Sequence, residues 1–148
     1  MIPAVFVDRD GTLVEQKDGS YISSINEVKF INQNVYPLLS WFQKEGFLII
    51  IVTNQAGINK GLVTWEQVRR VNDYVVRELD KHKVKVTDVY TCPHRIEENC
   101  NCRKPQPGLI LRASREHRID LANSVIIGDR DMDVEAGFRA GVKRAIKI

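Results

Sequence analysis

Two carboxylates, Asp8 and Asp10, stand one residue apart where a short apolar run, Ala4 to Val7, stops. In extended backbone, positions two apart face the same side. Two like charges so placed repel unless something positive lies between them, and a hard cation with oxygen ligands meets that need. Asp129 closes a second apolar run, Ser124 to Ile127, and Asp133 follows one helical turn later. Thr53 and Asn54 close a third, Phe47 to Val52. Alone, the Asp-x-Asp pair also fits a solvated turn. Its meaning comes from the other segments.

A second constellation is softer. All three cysteines fall between residues 92 and 102, as Cys92-x-His94, five residues, then Cys100-x-Cys102. An odd, clustered set is no disulfide framework. Three thiolates and one imidazole make a complete tetrahedral zinc set with no open position, so the metal would be structural. The plain alternative is three buried free thiols and a surface histidine. Arg103 and Lys104 follow directly, so zinc would clamp a coil and aim two cations. His82 and His117, on polar helical stretches with no partner nearby in sequence, read as solvated. Trp41 and Trp65 read as packing or helix-start residues.

The intervening pattern must position these groups. Val35 to Lys44 has helical spacing, with Gly46 as its stop. Thr64 and Gln67 form a capping box for a helix to about Lys81, with Val68, Val71, Val75 and Leu79 inward. Val84 to Tyr90 reads as the next strand, Pro107 to His117 as a helix, and a last helix to Ala140 leads to a strand over Arg144 to Ile148. Strands apolar on both faces, alternating with helices, imply a parallel sheet covered on both sides. With no linker or repeat, residues 1–148 read as one domain. Ligands of such sheets bind beyond the carboxyl ends of the strands, so the three polar strand ends should meet there.

Composition narrows the function classes. The chain has 148 residues, 43% hydrophobic and 28% charged, with net charge +3 from 22 basic and 19 acidic residues. That weak, dispersed charge, without a basic stripe interleaved with aromatics, predicts no nucleic-acid partner. No run nears the roughly 20 apolar residues of a membrane span, and the start lacks a signal peptide's basic segment and cleavage site. A cytoplasmic monomer acting on a phosphorylated small molecule is the expectation.

Asp8-Arg9-Asp10-Gly11-Thr12-Leu13 resembles the first motif of the haloacid dehalogenase (HAD) phosphatases. Thr53-Asn54-Gln55 is similar to their second, Arg103-Lys104-Pro105 to their third, and Gly128-Asp129 through Asp133 to their fourth. The resemblance spans nearly the whole chain and implies a three-layer, Rossmann-like HAD fold. It also implies roles. Asp8 would be the nucleophile and form an aspartyl-phosphate; Asp10 would be the general acid and base. Mg2+ would be held by Asp8, the Asp10 carbonyl and Asp129. Thr53 and Lys104 would grip the phosphoryl oxygens, and Asp133 would orient Lys104 or a metal-bound water. Asp131 is expected to be merely solvated. No gap between motifs leaves room for a cap domain.

Within that superfamily the zinc loop resembles two groups, acting on D-glycero-D-manno-heptose 1,7-bisphosphate and on histidinol phosphate. Thr53-Asn54-Gln55-Ala56-Gly57-Ile58, Gly19-Ser20-Tyr21 and Lys104-Pro105-Gln106-Pro107-Gly108 are similar to the heptose group. The short spacer in the zinc loop and Gly128-Asp129-Arg130 are more like the histidinol group. The heptose reading covers more of the chain and implies substrate contact by Asn54, Gln55, Gly19 and Tyr21. A bisphosphate also needs a second anion site, for which Arg103 and Arg130 are the candidates. The rival of another class is a non-enzymatic phosphate-sensing module, which the full set of catalytic residues argues against.

Overall fold

The computed structural model describes residues 1–31 and 34–148. Five strands, β1 (Ala4–Val7), β2 (Leu48–Asn54), β3 (Asp88–Cys92), β4 (Val125–Gly128) and β5 (Arg144–Lys147), form one sheet in the order β3-β2-β1-β4-β5. All four pairings are parallel. Four α-helices, α1 (Val35–Lys44), α2 (Trp65–Lys81), α3 (Gly108–His117) and α4 (Asp131–Ala140), alternate with the strands.

The side-chain period of a strand sorts the core into two halves. Val5, Val7, Ile49, Ile51, Val125 and Ile127 pack against Leu39 and Phe42 of α1 and Val71, Val75 and Leu79 of α2. Their neighbours Ala4, Phe6, Ile50, Val52 and Ile126 pack on the other face against Ile110 and Ala113 of α3 and Ala136 of α4. Each fully buried aliphatic side chain contributes about 1.5–3 kcal/mol. The apolar runs without alternation therefore mark strands covered on both faces.

Local signals set the helix ends. The Gln67 amide donates to Thr64 Oγ1 at 3.0 Å, and the Thr64 amide donates to Gln67 Oε1 at 2.9 Å. Gly46, just past α1, has φ +93°.

Some readings need correction. The predicted strand Val84 to Tyr90 begins only at Asp88. Val84 and Val86 are buried, but they belong to the return from α2, where the Val84 amide donates to the Leu79 carbonyl. Their alternation mimics a strand. His117 is half-buried and partnered, 2.9 Å from Asp88 Oδ2, whereas His82 is exposed, as expected, and also stacks on Tyr36 with ring centroids 4.9 Å apart. Trp41 is 55% exposed rather than core, though it packs edge-on against Phe42, while Trp65 opens α2 as a helix-start residue and is 46% exposed.

β1 lies at the centre of the sheet, and the chain builds outward from it in both directions: to β2 and β3, then back across to β4 and β5. The crevice beyond β1, where the strand order reverses, is the expected ligand position in such sheets. Among the described residues, no helix is long and apolar enough to cross a membrane.

Candidate active site

Register brings the three polar strand ends together. Val7 pairs with Ile51 and with Ile127, so Asp8, Thr53 and Asp129 emerge side by side. The Asp8 amide donates to the Ile127 carbonyl at 3.1 Å. Glycine makes the approach possible: a Cβ on Gly11, which has φ +92°, would collide with the Asp129 carboxylate, and one on Gly128 with Asp133.

Lys104 arrives from the other side of the zinc loop and is 2% exposed. Its ammonium donates to Asp8 Oδ1 at 2.7 Å, to Asp133 Oδ1 at 2.7 Å and to the Val52 carbonyl at 2.9 Å. All three donors are thus used. Burial works to lower its pKa, but the Asp8 and Asp133 carboxylates outweigh burial and hold it above the ordinary lysine value. The Asp8 carboxyl is pushed up to about 7, first by burial and further by the charges of Asp133 and Asp10, with Lys104 opposing.

Acceptor use separates the acidic residues. Carboxylate oxygens of Asp8, Asp129 and Asp133 lie within 4.8 Å of one another. Both oxygens of Asp133 are taken, Oδ1 by Lys104 and Oδ2 by the Arg130 amide. Among the described residues, Asp129 meets only the Thr12 hydroxyl, at 3.3 Å, and Arg130 at 3.8 Å. Asp8 and Asp129 therefore keep free lone pairs, a hard oxygen donor set that suits Mg2+.

Asn54 and Gln55 are committed to protein. Asn54 Nδ2 donates to the Lys104 carbonyl at 3.2 Å and its Oδ1 accepts from the Lys104 amide at 3.0 Å, so Asn54 fixes the backbone that carries the buried cation. Gln55 is wholly buried. Its Nε2 donates to Asp10 Oδ2 at 3.0 Å and Thr53 Oγ1 at 2.9 Å, and it does not line the cavity.

The four soft residues converge as well. Cys102 Sγ lies 3.1 Å from Cys92 Sγ, 3.8 Å from Cys100 Sγ and 3.2 Å from His94 Nδ1. Cys92 Sγ lies 3.4 Å from His94 Nδ1 and 3.7 Å from Cys100 Sγ. A tetrahedron of 2.3 Å metal–sulfur bonds has edges of about 3.8 Å, so the spacing suits a closed tetrahedral site. The Arg103 amide donates to Cys100 Sγ at 3.3 Å, which ties the cluster directly to the residue before Lys104.

A cavity of about 470 Å³ opens over Asp8, Asp10, Thr53 and Lys104. Around it stand Gly19 and Tyr21 from the β1–α1 connection, Arg103, Arg130, and two cations the sequence reading missed, Lys17 and Lys60. Lys17 is ion-paired with Glu27. Lys60 Nζ donates to the Tyr21 hydroxyl at 3.1 Å, and the Tyr21 ring packs where Gly57 lacks a side chain. Arg103 makes no ion pair among the described residues, while Arg130 Nη2 reaches Gln16 Oε1 at 3.4 Å. Asp131 is exposed and paired with Lys147 at 2.7 Å. The reading also missed Arg9, a fully buried cation. The available signal was Asn72, a polar residue at the helical spacing of Val68 and Val75.

Residues 4–137 match the family model described as polynucleotide kinase 3 phosphatase. Among curated proteins, the chain is 45% identical over 130 residues to the "Probable D-glycero-D-manno-heptose-1,7-bisphosphate 7-phosphatase" of Thermoplasma acidophilum, covering 88% of this chain and 79% of that one. It is 38% identical over 146 residues to the D-glycero-beta-D-manno-heptose-1,7-bisphosphate 7-phosphatase of Helicobacter pylori, covering 98% and 83%. Among solved structures, the D,D-heptose 1,7-bisphosphate phosphatase of B. bronchiseptica, complexed with magnesium and phosphate, superposes with a TM-score of 0.86 at 26% identity. That match covers 97% of this chain and 79% of that one.

Proposed function

Because the chain belongs to the polynucleotide kinase 3 phosphatase family within the haloacid dehalogenase superfamily, and is a phosphatase, we propose that it removes the 7-phosphate of D-glycero-D-manno-heptose 1,7-bisphosphate by way of a phosphorylated Asp8. The observation that carries this reading is one cavity with two levels. Buried Asp8, Thr53 and Lys104 lie at depth, and Lys60, Arg103 and Arg130 stand at the more exposed margin. A substrate with phosphates at both ends matches that division.

Asp8 attacks phosphorus while the bond to the sugar oxygen breaks, and Asp10 gives that oxygen its proton. Water then attacks the phosphorylated Asp8, and Asp10 takes up the proton released. The Thr53 hydroxyl, which accepts from Gln55 and keeps its own proton to donate, would hold a phosphoryl oxygen, and Lys104 would hold another by exchanging its contact with Asp8. Asp133 keeps Lys104 in place, as its 2.7 Å contact supports. Gln55 serves this site through Thr53 and Asp10 rather than through the substrate, whereas Asn54 braces Lys104 and also lines the cavity. Mg2+, held by Asp8, Asp129 and the Asp10 carbonyl, would supply positive charge against the transferring group. Zinc in the 92–102 loop would fix Arg103 and Lys104, and three free thiols suit the reducing cytoplasm. Arg103 and Arg130 would take the second phosphate with their planar forks, beside Gly19 and Tyr21.

The test is phosphate release with Mg2+ from the heptose bisphosphate, from histidinol phosphate and from a 3′-phosphorylated oligonucleotide, with Asp8→Asn as control. Clear preference for the bisphosphate is the expected result. Equal or better turnover of either other substrate would overturn the assignment. Within it, Arg103→Ala should raise KM for the bisphosphate far more than for a small aryl phosphate.

A further inference from the structure

Arg9 is an odd residue to bury. It lies between the two carboxylates of the first motif, is 0% exposed, and carries a positive charge. Its guanidinium forks onto Asp10, with Nε 2.7 Å from Oδ1 and Nη2 3.1 Å from Oδ2. The third nitrogen, Nη1, donates to Asn72 Oδ1 at 2.8 Å. Asn72 in turn donates to Thr91 Oγ1 of β3 at 3.3 Å. It is a buried polar residue on the α2 face otherwise built from Val68, Val71, Val75 and Leu79.

These contacts converge on one carboxylate. Asp10 accepts from Arg9 twice and from Gln55 Nε2 once. A carboxylate offers about four acceptor sites, so one is left, and Asp10 lines the cavity. We propose that Arg9 and Asn72 are positioning residues for Asp10, holding its carboxylate so that its one free acceptor site serves the leaving oxygen. Asn72 does this by pinning the far end of the guanidinium, which would otherwise be free to turn in its pocket. The inference rests on Asp10 as the proton carrier. In that step the phosphorus–oxygen bond breaks, its electron pair stays on the sugar oxygen, and the Asp10 proton joins it; the carboxylate regains a proton from the attacking water.

The leaving group supplies the readout. A p-nitrophenolate departs without a proton, whereas a sugar alkoxide requires one. With Mg2+ present, Asn72→Ala should lower kcat on a primary sugar phosphate by on the order of 10-fold, with KM little changed, and lower kcat on p-nitrophenyl phosphate much less. Asn72→Asp, which still accepts from Nη1, should restore sugar-phosphate turnover. Arg9→Lys, which keeps the charge but loses the fork, should repeat the Asn72→Ala pattern and serves if that variant does not fold. Equal losses on both substrates, or failure of Asn72→Asp to restore sugar-phosphate turnover, would overturn the proposal. Asp10→Asn separates the two levels: if it too fails to discriminate leaving groups, the role of Asp10 is wrong rather than its positioning.

Discussion

Two clusters of functional side chains, linked through Arg103 and Lys104, are assembled in opposite ways. Cys92, His94, Cys100 and Cys102 come from eleven consecutive residues of one loop. Asp8, Thr53, Lys104, Asp129 and Asp133 come from the end of the first strand, the second strand, the end of that loop, the turn after the fourth strand and the last helix. The first is closed and would fill a tetrahedron; the second keeps lone pairs and a cavity open. A local cluster needs only a flexible loop and a metal. A distributed one needs the whole sheet in register, so its groups are rigid before substrate arrives. On the proposed function, the first would hold one loop in place and the second would do the chemistry.

The contrast predicts unequal losses. Asp8→Asn should lower phosphate release by at least on the order of 10³-fold with an unchanged fold, checked by turnover and circular dichroism together. Asp133→Ala leaves the buried Lys104 with one fewer counter-charge and should cost about 3–5 kcal/mol, read as a lower denaturant midpoint. Replacement by Asn should cost less. Stripping the soft cluster with a chelator, or Cys102→Ser, should lower turnover by about 100-fold through misplaced Lys104. The sheet should survive, and loss of the whole fold on chelation would break the comparison.

A pH effect sharpens it. Burial pushes the Asp8 carboxyl up to about 7 in the fold, from an ordinary value of 3.8. A pKa raised by folding gives stability that is complete below the unfolded value and lost as pH rises through the folded one. The metal-free protein should therefore lose stability between about pH 4 and 7 from this group. Mg2+ needs the charged form, so its addition should raise Tm more at pH 8 than at pH 5. A larger rise at pH 5 would show that Asp8 is not the ligand. The smallest effect is expected far from both clusters: Thr64→Ala should cost about 1 kcal/mol by removing a helix cap and leave turnover unchanged.

What could be read in advance follows the same division. The bounds of α1 and α2, the soft ligand set, and the meeting of Asp8, Thr53 and Asp129 at one sheet edge were legible, because each depends on spacing or on strand period within a short stretch. The shift of β3 from Val84 to Asp88 was not, since buried Val84 and Val86 have the same alternation whether paired or not. The partners of His82 and His117 were invisible because they lie at separations of 46 and 29 residues.

By itself, then, the sequence determined the layers, the metal-ligand chemistry and the identity of the charged groups, all local properties of residue type and period. Only the tertiary structure decided which group each charge answers to. Lys104 between Asp8 and Asp133, Gln55 turned to Asp10 rather than to the cavity, and Arg9 pinned by Asn72 are all set by burial. A polar group removed from water must find a partner, and which partner lies within reach depends on how distant elements pack.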